Sequence, residues 1–314
     1  MKKCFIIGGA GFIGRHIINE LLNSDREISV IGRNENPVNP IPENVKYYSG
    51  NYGNPKFISK LLNNADEVIN LAYSSIPKTS YDDPLKDVLE NLIESVNFLD
   101  TLCDLNIKKI ITFSSGGTIY GNTEILPIPE TAATNPISPY GITKLTIEKY
   151  GFMFNHLKKL PIIVLRPGNA YGEGQKPFSG QGFIATAMAS VLEKKEIIVF
   201  GQEGTIRDYI HVKDLARATR LAIEKGKDGE CYNIGSGQGL SNIDIVKLIK
   251  KAAEKDSYEV RIKHLEPREF DVKANILNCE KIFTDTGFKP EINIEDGINL
   301  TWRAMLEKYK NSKI

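Results

Sequence analysis

The sequence predicts an α/β protein whose larger part is a doubly wound parallel sheet, followed by a smaller mixed α/β lobe. In the first half of the chain, apolar strand-like runs alternate with segments whose apolar residues recur at helical spacing. The strand-like runs are continuously apolar, which is typical of parallel strands that helices cover on both faces. Glycines join the first strand-like run to the first helical segment.

The alternation can be followed along the first half of the chain. Short apolar runs predict strands at Lys3–Ile7, Glu27–Ile31, Val45–Tyr48, Asp66–Leu71, Lys109–Phe113 and Pro161–Leu165. Helical spacing of apolar residues predicts helices at Phe12–Leu22, Asn54–Leu62, Pro84–Leu105 and Pro139–Leu157. Each strand–helix–strand crossover should be right-handed.

The pattern changes after Arg166. Gly, Pro, Asn and Gln are frequent between Gly168 and Gly182, which indicates a loop. Further helices are predicted at Phe183–Glu193, Lys213–Glu224, Asn242–Glu254 and Asn293–Lys308, with short strands at Glu196–Phe200 and Val260–His264. We therefore expect a first domain over residues 1–168 and a second lobe over residues 169–314, interleaved with the first.

Composition excludes several classes of protein. The 314 residues carry 40 Lys and Arg against 39 Asp and Glu, so no excess charge is available to hold a nucleic acid. No apolar run approaches the length of a membrane-spanning helix. The four cysteines form no C-x-x-C pair and predict reduced thiols in the cytoplasm. The four scattered histidines offer no metal-ligand spacing, so no metal is expected.

The glycine-rich turn predicts a dinucleotide site of the Rossmann type. Gly8, Gly11 and Gly14 follow the first strand in the spacing G-x-x-G-x-x-G. Glycine permits positive φ and close approach of the backbone to a ligand. The helix that begins at Phe12 and Ile13 should direct its free N–H groups toward a pyrophosphate. In this strand–turn–helix context the motif predicts cofactor binding.

The second strand leaves open whether the cofactor is NAD or NADP. An acidic residue that would bind the adenosine ribose is expected there, but Arg33 follows the strand. Arg33 could pair with a 2′-phosphate, stack on adenine or remain an exposed loop residue. Asn51 could contact adenine or simply belong to a turn.

A second motif predicts proton transfer. Tyr140 and Lys144 are four residues apart, which places both side chains on one face of a helix. A phenol has a pKa of about 10 and is a poor base at neutral pH. A nearby ammonium, together with the positive charge of an oxidised nicotinamide, favours the phenolate and lowers that pKa. The strand before this helix ends at Ser114 and Ser115, whose hydroxyls could bind the same substrate oxygen.

Taken together, these motifs resemble the extended short-chain dehydrogenase/reductases, in the nucleotide-sugar epimerase/dehydratase branch typified by UDP-glucose 4-epimerase. The resemblance covers nearly the whole chain. It rests on Gly8–Gly14, Asn70–Ala72, Asn91, Ser114–Gly121, Ser138–Lys144, Leu165–Gly172, Arg207–Val212 and Tyr232–Gly235.

The resemblance implies roles for individual residues. Tyr140 would be the general base and acid at the sugar 4-position, and Lys144 would tune it and hold the nicotinamide ribose. Ser115 would be the hydroxyl partner: counting back from Tyr120 puts the family's Ser or Thr on Gly116, whereas counting forward from Asn106 puts it on Ser115. Thr118 is the alternative. Further cofactor contacts are expected from Leu71, Ala72, Tyr73, Asn91, Ser114 and Pro167.

The family's substrate positions fall in the second half of the chain. By resemblance, Asn169, Arg207 and Arg268 would bind the diphosphate of a nucleotide sugar, where two guanidinium groups suit a pyrophosphate. Arg207 could instead pair with Asp208. Asn275 is also expected at the substrate's sugar, because it matches a position where an aromatic residue excludes N-acetyl sugars in some relatives. The smaller Asn would leave room for an acetamido group. The family also implies a homodimer through the Pro84–Leu105 and Pro139–Leu157 helices.

Four functions follow from this resemblance. The first is a nucleotide-sugar 4-epimerase, of UDP-glucose or UDP-N-acetylglucosamine type, that works through a transient 4-keto sugar. An NADPH-dependent reductase of a 4-keto nucleotide sugar is the alternative and explains Arg33 better. A 4,6-dehydratase is disfavoured because Gly117 and Thr118 carry no carboxylate. A non-catalytic NADP-binding regulator is disfavoured because Tyr140 and Lys144 are both present.

Overall fold

The fold centres on a seven-stranded parallel sheet, seen in a computed structural model that describes residues 1–267 and 272–311. The strands of all the sheets, over the described residues, are β1 Lys2–Ile7, β2 Arg26–Gly32, β3 Lys46–Ser49, β4 Glu67–Asn70, β5 Lys109–Phe113, β6 Ile162–Pro167, β7 Asn169–Tyr171, β8 Ile197–Phe200, β9 Ile206–His211, β10 Cys231–Ile234, β11 Gly239–Leu240, β12 Ile262–Leu265 and β13 Ala274–Asn275. The large sheet has the order β3-β2-β1-β4-β5-β6-β10. This is a Rossmann-type doubly wound sheet, and the predicted fold class is confirmed.

Helices cover both faces of this sheet. Over the described residues, the helices of both lobes are α1 Phe12–Leu21, α2 Pro55–Leu62, α3 Pro77–Asp82, α4 Pro84–Asp87, α5 Ile93–Leu102, α6 Pro139–Lys158, α7 Phe183–Leu192, α8 Val212–Lys225, α9 Asn242–Glu254, α10 Glu280–Thr286 and α11 Ile294–Asn311. In β1, Cys4 and Ile6 pack with α1, α8 and α10, whereas Phe5 and Ile7 pack with α2, α5 and α6. Alternate residues of one strand thus enter two separate cores, which explains its continuous apolar run.

The prediction of one continuous helix over Pro84–Leu105 is wrong. The structure has α4, then a π-helical turn at Val88–Leu92, then α5, which ends at Leu102. A separate short helix, α3, precedes them, and both short helices begin with Pro at the first helical position. Proline suits this position because its missing N–H has no helical partner there.

The second lobe is built around its own core. Helices α7, α9 and α11 surround Trp302, Met188 and Ile249, all buried. Two small sheets flank this core, one of β8 and β12 and one formed by β7, β9, β11 and β13. The chain returns to the large sheet at β10, which pairs with β6, and at α8, which packs on α1. A single cut at residue 168 therefore does not separate the two lobes.

Candidate active site

A cleft of about 950 Å³ lies at the carboxyl ends of the central strands. Its floor is formed by residues that directly follow or end strands, namely Gly8 after β1, Leu71 after β4, Ser114 after β5 and Pro167 at the end of β6. Between β1 and β4 the strand order reverses direction. Ligands of doubly wound folds bind at such a switch point.

The glycine turn forms one wall of this cleft. Gly8 has a φ of +75°, and a Cβ there would lie 3.3 Å from the backbone of Leu71 and Ala72. A Cβ on Gly14 would lie 2.4 Å from the Gly9 oxygen, so only glycine lets α1 approach the turn this closely. Gly11 caps α1 without any side-chain hydrogen bond. The first-turn N–H groups of α1 therefore stay available for a pyrophosphate, which fits a dinucleotide cofactor.

Helix α6 positions Tyr140 and Lys144 over the carboxyl end of β5. Ser138 caps the helix by accepting a hydrogen bond from Gly141 N at 3.1 Å, and Pro139 occupies the first turn. A Cβ on Gly141 would lie 2.9 Å from Pro136 and 3.0 Å from the Thr118 oxygen, so this turn packs closely on the loop that carries Thr118. Both predicted residues line the cleft.

The far part of α6 is fixed by a buried ion pair. Arg166 donates to Glu148 through Nε at 3.0 Å and through Nη2 at 2.6 Å, and both side chains are almost fully buried. Arg166 also donates to the Tyr120 hydroxyl at 3.0 Å. Because Glu148 lies one turn beyond Lys144 on the same helix face, this pair holds the face of α6 that carries Tyr140 and Lys144 against β6.

Burial dominates the electrostatics of the site. It lowers the pKa of Lys144 to about 7, although the carboxylates of Glu148 and Asp87 act to raise it. The Lys144 ammonium donates to the Phe113 oxygen at 2.9 Å. Burial, with Asp87 nearby, raises the pKa of Tyr140, while a hydrogen bond with Ser115 lowers it. At neutral pH the Tyr140 phenol is therefore protonated, and the prediction that Lys144 lowers its pKa is wrong for the protein on its own because burial outweighs it.

The structure distinguishes between the two positions for the hydroxyl partner. Ser115 reaches Tyr140 and lines the cleft. Residue 116 points into the protein, because a Cβ there would lie 2.6 Å from Leu277 Cδ1 and 2.8 Å from the Arg166 oxygen. No side chain fits at Gly116, and Ser115 offers its hydroxyl in its place.

Several hydroxyl groups in the cleft lack partners. Among the described residues, the buried hydroxyls of Ser114, Thr118 and Tyr209 have no hydrogen-bond partner, and all three residues line the cleft. Buried polar groups are normally paired. A bound ligand with hydrogen-bonding groups would satisfy them.

The predicted cofactor residues divide into two groups. Those that line the cleft are Gly8, Gly11, Phe12, Ile13, Gly14, Leu71, Tyr73, Ser114, Tyr140, Lys144 and Pro167. Four others do not line it. Arg33 is exposed beyond β2, and Asn51 uses its amide to bind Glu94 and Gly53 N. Ala72 N donates to Asn70, and the buried Asn91 instead accepts from Ser74 N at 2.7 Å.

The predicted substrate residues also divide. Asn169 and Arg207 line the cleft, whereas Arg268 lies outside the described residues. Asp208 accepts hydrogen bonds from Ser236 and from the backbone N–H groups of Gly237 and Leu277.

The predicted contact between Asn275 and the sugar is not supported. Its side chain is 1% exposed and donates to the Gly116 oxygen at 2.9 Å. It is held there because β13 runs beside β9 under the loop that follows β5.

Part of the cleft wall was not predicted from the sequence. Ser75, Tyr81 and Asp82 come from the segment around α3, and residues 180–184 come from the end of the loop before α7 and the start of that helix. These two segments approach each other closely, since a Cβ on Gly180 would lie 2.7 Å from Ile76 Cδ1. The prolines that begin α3 and α4 were the sequence signal that could have indicated these short helices. Nothing in the sequence indicated that the helices lie beside Tyr140.

The sheet, the glycine turn and the cleft at the strand ends are those of a dinucleotide-binding protein, with Tyr140 and Lys144 in the cleft. The family model described as "NAD dependent epimerase/dehydratase family" matches residues 4–235. The chain belongs to this family, and the predicted resemblance is confirmed. Because the family is NAD-dependent, a nicotinamide dinucleotide is its cofactor class.

Similar proteins include epimerases and a reductase. A dTDP-4-dehydro-6-deoxyglucose reductase of Escherichia coli is 31% identical, with 94% of each chain covered. The crystal structure of UDP-glucose 4-epimerase from Thermotoga maritima with UDP-glucose is 32% identical at a TM-score of 0.91, covering 98% of this chain and 99% of that one. The Thermus thermophilus UDP-glucose 4-epimerase in complex with NAD is 27% identical at a TM-score of 0.89, covering 97% and 99%.

The described part of the chain offers neither a metal-binding cluster nor a membrane-spanning helix. No group of three or more His, Cys, Asp or Glu side chains within residues 1–267 and 272–311 is arranged to hold a metal ion. In the same part of the chain, no helix combines the length and apolar character needed to cross a bilayer.

Proposed function

We propose that the protein is a nucleotide-sugar 4-epimerase that inverts C4 through a transient 4-keto sugar. The observation that carries this proposal is the convergence of the Tyr140 phenol, the Lys144 ammonium and the Ser115 hydroxyl in the cleft that also contains the glycine turn. The similarity to two UDP-glucose 4-epimerases over nearly their whole length supports it.

The residues divide the chemistry of C4 oxidation between them. Ser115 binds the 4-hydroxyl and orients it toward Tyr140, which takes its proton in the phenolate form. The Lys144 ammonium, together with the positive charge that a bound oxidised nicotinamide would add, favours loss of the Tyr140 phenol proton and so supplies this phenolate. When bound, the nicotinamide ring supplies reversible hydride acceptance. Tyr140 returns the proton after the sugar has presented its other face.

The remainder of the substrate must stay bound while the sugar turns. Asn169 and Arg207 lie on the cleft wall and would hold the diphosphate. A guanidinium group suits this task because its donors match phosphate oxygens in pairs. Binding energy from this remote part of the substrate would retain the 4-keto sugar in the cleft.

The test is C4 inversion on a panel of nucleotide sugars. Purified protein is incubated with UDP-glucose, UDP-N-acetylglucosamine and their C4 epimers, and the products are identified by NMR. We expect interconversion of at least one pair without net consumption of cofactor. If no pair is interconverted, the proposal fails for these sugars.

One observation favours a second candidate, an NADPH-dependent 4-keto reductase. The reductase from Escherichia coli matches this chain at 31% identity over 304 residues. Tyr140, Lys144 and Ser115 would serve that reaction equally well, and an exposed Arg33 could bind a 2′-phosphate. Stoichiometric loss of NADPH absorbance with a 4-keto nucleotide sugar would favour the reductase over the epimerase.

The other two candidates have less support. A 4,6-dehydratase needs an added acid and base, and Asp82 is the one carboxylate among the described residues that line the cleft. A non-catalytic regulator has no need of the buried Lys144 beside Tyr140, because burying an ammonium without a task costs stability.

We further propose that the protein forms a homodimer through α4, α5 and α6. Large apolar side chains are exposed along this part of the chain: Leu85 on α4 and Leu157 on α6 are each 67% exposed, and Leu89, in the π-helical turn between α4 and α5, is 50% exposed. Exposed apolar surface favours an interaction site.

A further inference from the structure

The buried carboxylate of Asp87 has no role in the chemistry described above. It is 1% exposed and lies at the end of α4, where the π-helical turn begins. Its hydrogen bonds come from neutral groups: the Tyr73 hydroxyl at 3.3 Å, the Asn91 amide at 3.2 Å and the Ser75 hydroxyl. Within residues 1–267 and 272–311, no Lys, Arg or His forms a salt bridge with it. A buried charge normally has a charged partner.

Tyr73 connects this carboxylate to the catalytic lysine. Its hydroxyl donates to Asp87, and the Lys144 Nζ lies 3.9 Å from its ring centroid. The same ring meets that of Tyr140 edge-on, with centroids 4.9 Å apart. A cation over a ring face is attracted by the ring's quadrupole, the more so when water is excluded. Donation of the phenol proton to an anion adds electron density to the ring and strengthens this attraction.

We propose that Tyr73 and Asp87 are positioning residues that hold Lys144 as an ammonium beside Tyr140. This inference rests on the proposed role of Tyr140 and Lys144. The titratable groups that face Lys144 are Tyr73, Tyr140, Asp87 and, from its own helix, Glu148. Glu148 is already paired with Arg166, which leaves Asp87 as the unpaired anion of the cluster.

The test measures the titration of Lys144 directly. The protein is acetylated with trace acetic anhydride from pH 5 to 10, and the Lys144 peptide is quantified by mass spectrometry. Asp87→Asn should lower the titration midpoint of Lys144 by about one pH unit, because an anion that stabilises the ammonium is removed. Tyr73→Leu should lower it as well, whereas Tyr73→Phe keeps the ring and should have a smaller effect. Tyr52→Leu, a change at a buried tyrosine packed on Phe98, is the control and should leave it unchanged.

Activity provides a second readout that a merely structural role would not produce. Removing the negative charge of Asp87 lowers the pKa of both Tyr140 and Lys144, so both limbs of the pH–kcat profile should move to lower pH. Unchanged Lys144 midpoints in Asp87→Asn and Tyr73→Leu would overturn the inference. If Asp87→Asn does not fold, equal Lys144 titration midpoints in Tyr73→Leu and Tyr73→Phe would overturn the inference. A wild-type protein inactive on every nucleotide sugar would refute the proposed function and leave the labelling result intact.

Discussion

Moving the hydroxyl from residue 115 to residue 116 tests the assignment of the hydroxyl partner. Ser115→Ala removes the group that reaches Tyr140. Loss of one donor to a developing oxyanion typically costs about 10²–10³ in kcat. We expect a fall of about 10²-fold in kcat, with the KM for the nucleotide sugar nearly unchanged because the diphosphate contacts are separate.

The double variant Ser115→Ala, Gly116→Ser restores a hydroxyl at the position that one alignment of the family motif indicates. A Cβ at residue 116 would lie 2.6 Å from Leu277 Cδ1 and 2.8 Å from the Arg166 oxygen. Leu277 could move, but the Arg166 oxygen belongs to the central strand β6 and cannot. Overpacking of this kind costs about 1–3 kcal/mol. The double variant should therefore be less stable and should not regain activity.

The assay is C4 inversion followed by NMR at saturating substrate, with stability measured by urea unfolding. Thr118→Ala is the matched control, because it removes another cleft hydroxyl. Recovery of activity in the double variant, or a greater loss in Thr118→Ala than in Ser115→Ala, would refute the reasoning.

Three other predictions follow from burial and exposure. Because the pKa of Lys144 is lowered to about 7, the unfolded chain binds more protons than the folded protein above that pH. The free energy of unfolding of the wild type should therefore rise relative to that of Lys144→Met by about 1.4 kcal/mol per pH unit between pH 7 and 10. A difference between the two proteins that does not change with pH in urea unfolding would contradict this. Glu148→Gln leaves Arg166 buried without its partner and should cost about 3–5 kcal/mol in urea unfolding, and an unchanged midpoint would argue against the ion pair. Leu157→Glu should produce monomers in sedimentation velocity, whereas Val38→Glu, at a similarly exposed site away from these helices, should not.

Much of the large sheet could be predicted because its signals are local. Alternate residues of β1 enter different cores, so the strand is apolar throughout and recognisable on its own. The glycine turn and the spacing of Tyr140 and Lys144 likewise lie within single segments of the chain. The helix at Asn242–Glu254 was predicted to the residue, and in the structure Ser241 caps it through a capping box with Asp244.

The features that were missed depend on contacts between distant segments. Strand β10 joins the large sheet only through its pairing with β6, in which Cys231 lies opposite Val164, 67 positions earlier in the chain. Asn275 resembled a substrate residue, but it binds the Gly116 oxygen from 159 positions away. Whether residue 115 or residue 116 can carry the hydroxyl partner depends on the space beside Leu277. Counting residues from a motif cannot reveal that space.

The central claim is that the Tyr140 phenol transfers the proton of the 4-hydroxyl in a cleft built for a dinucleotide. Its most direct test is Tyr140→Phe, with cofactor affinity measured by fluorescence titration and C4 inversion measured on the substrate that the wild-type protein turns over. The account predicts that inversion falls by at least about 10²-fold, the contribution of a positioned acid–base group, while cofactor affinity stays within a few-fold. Inversion at the wild-type rate by Tyr140→Phe would contradict it.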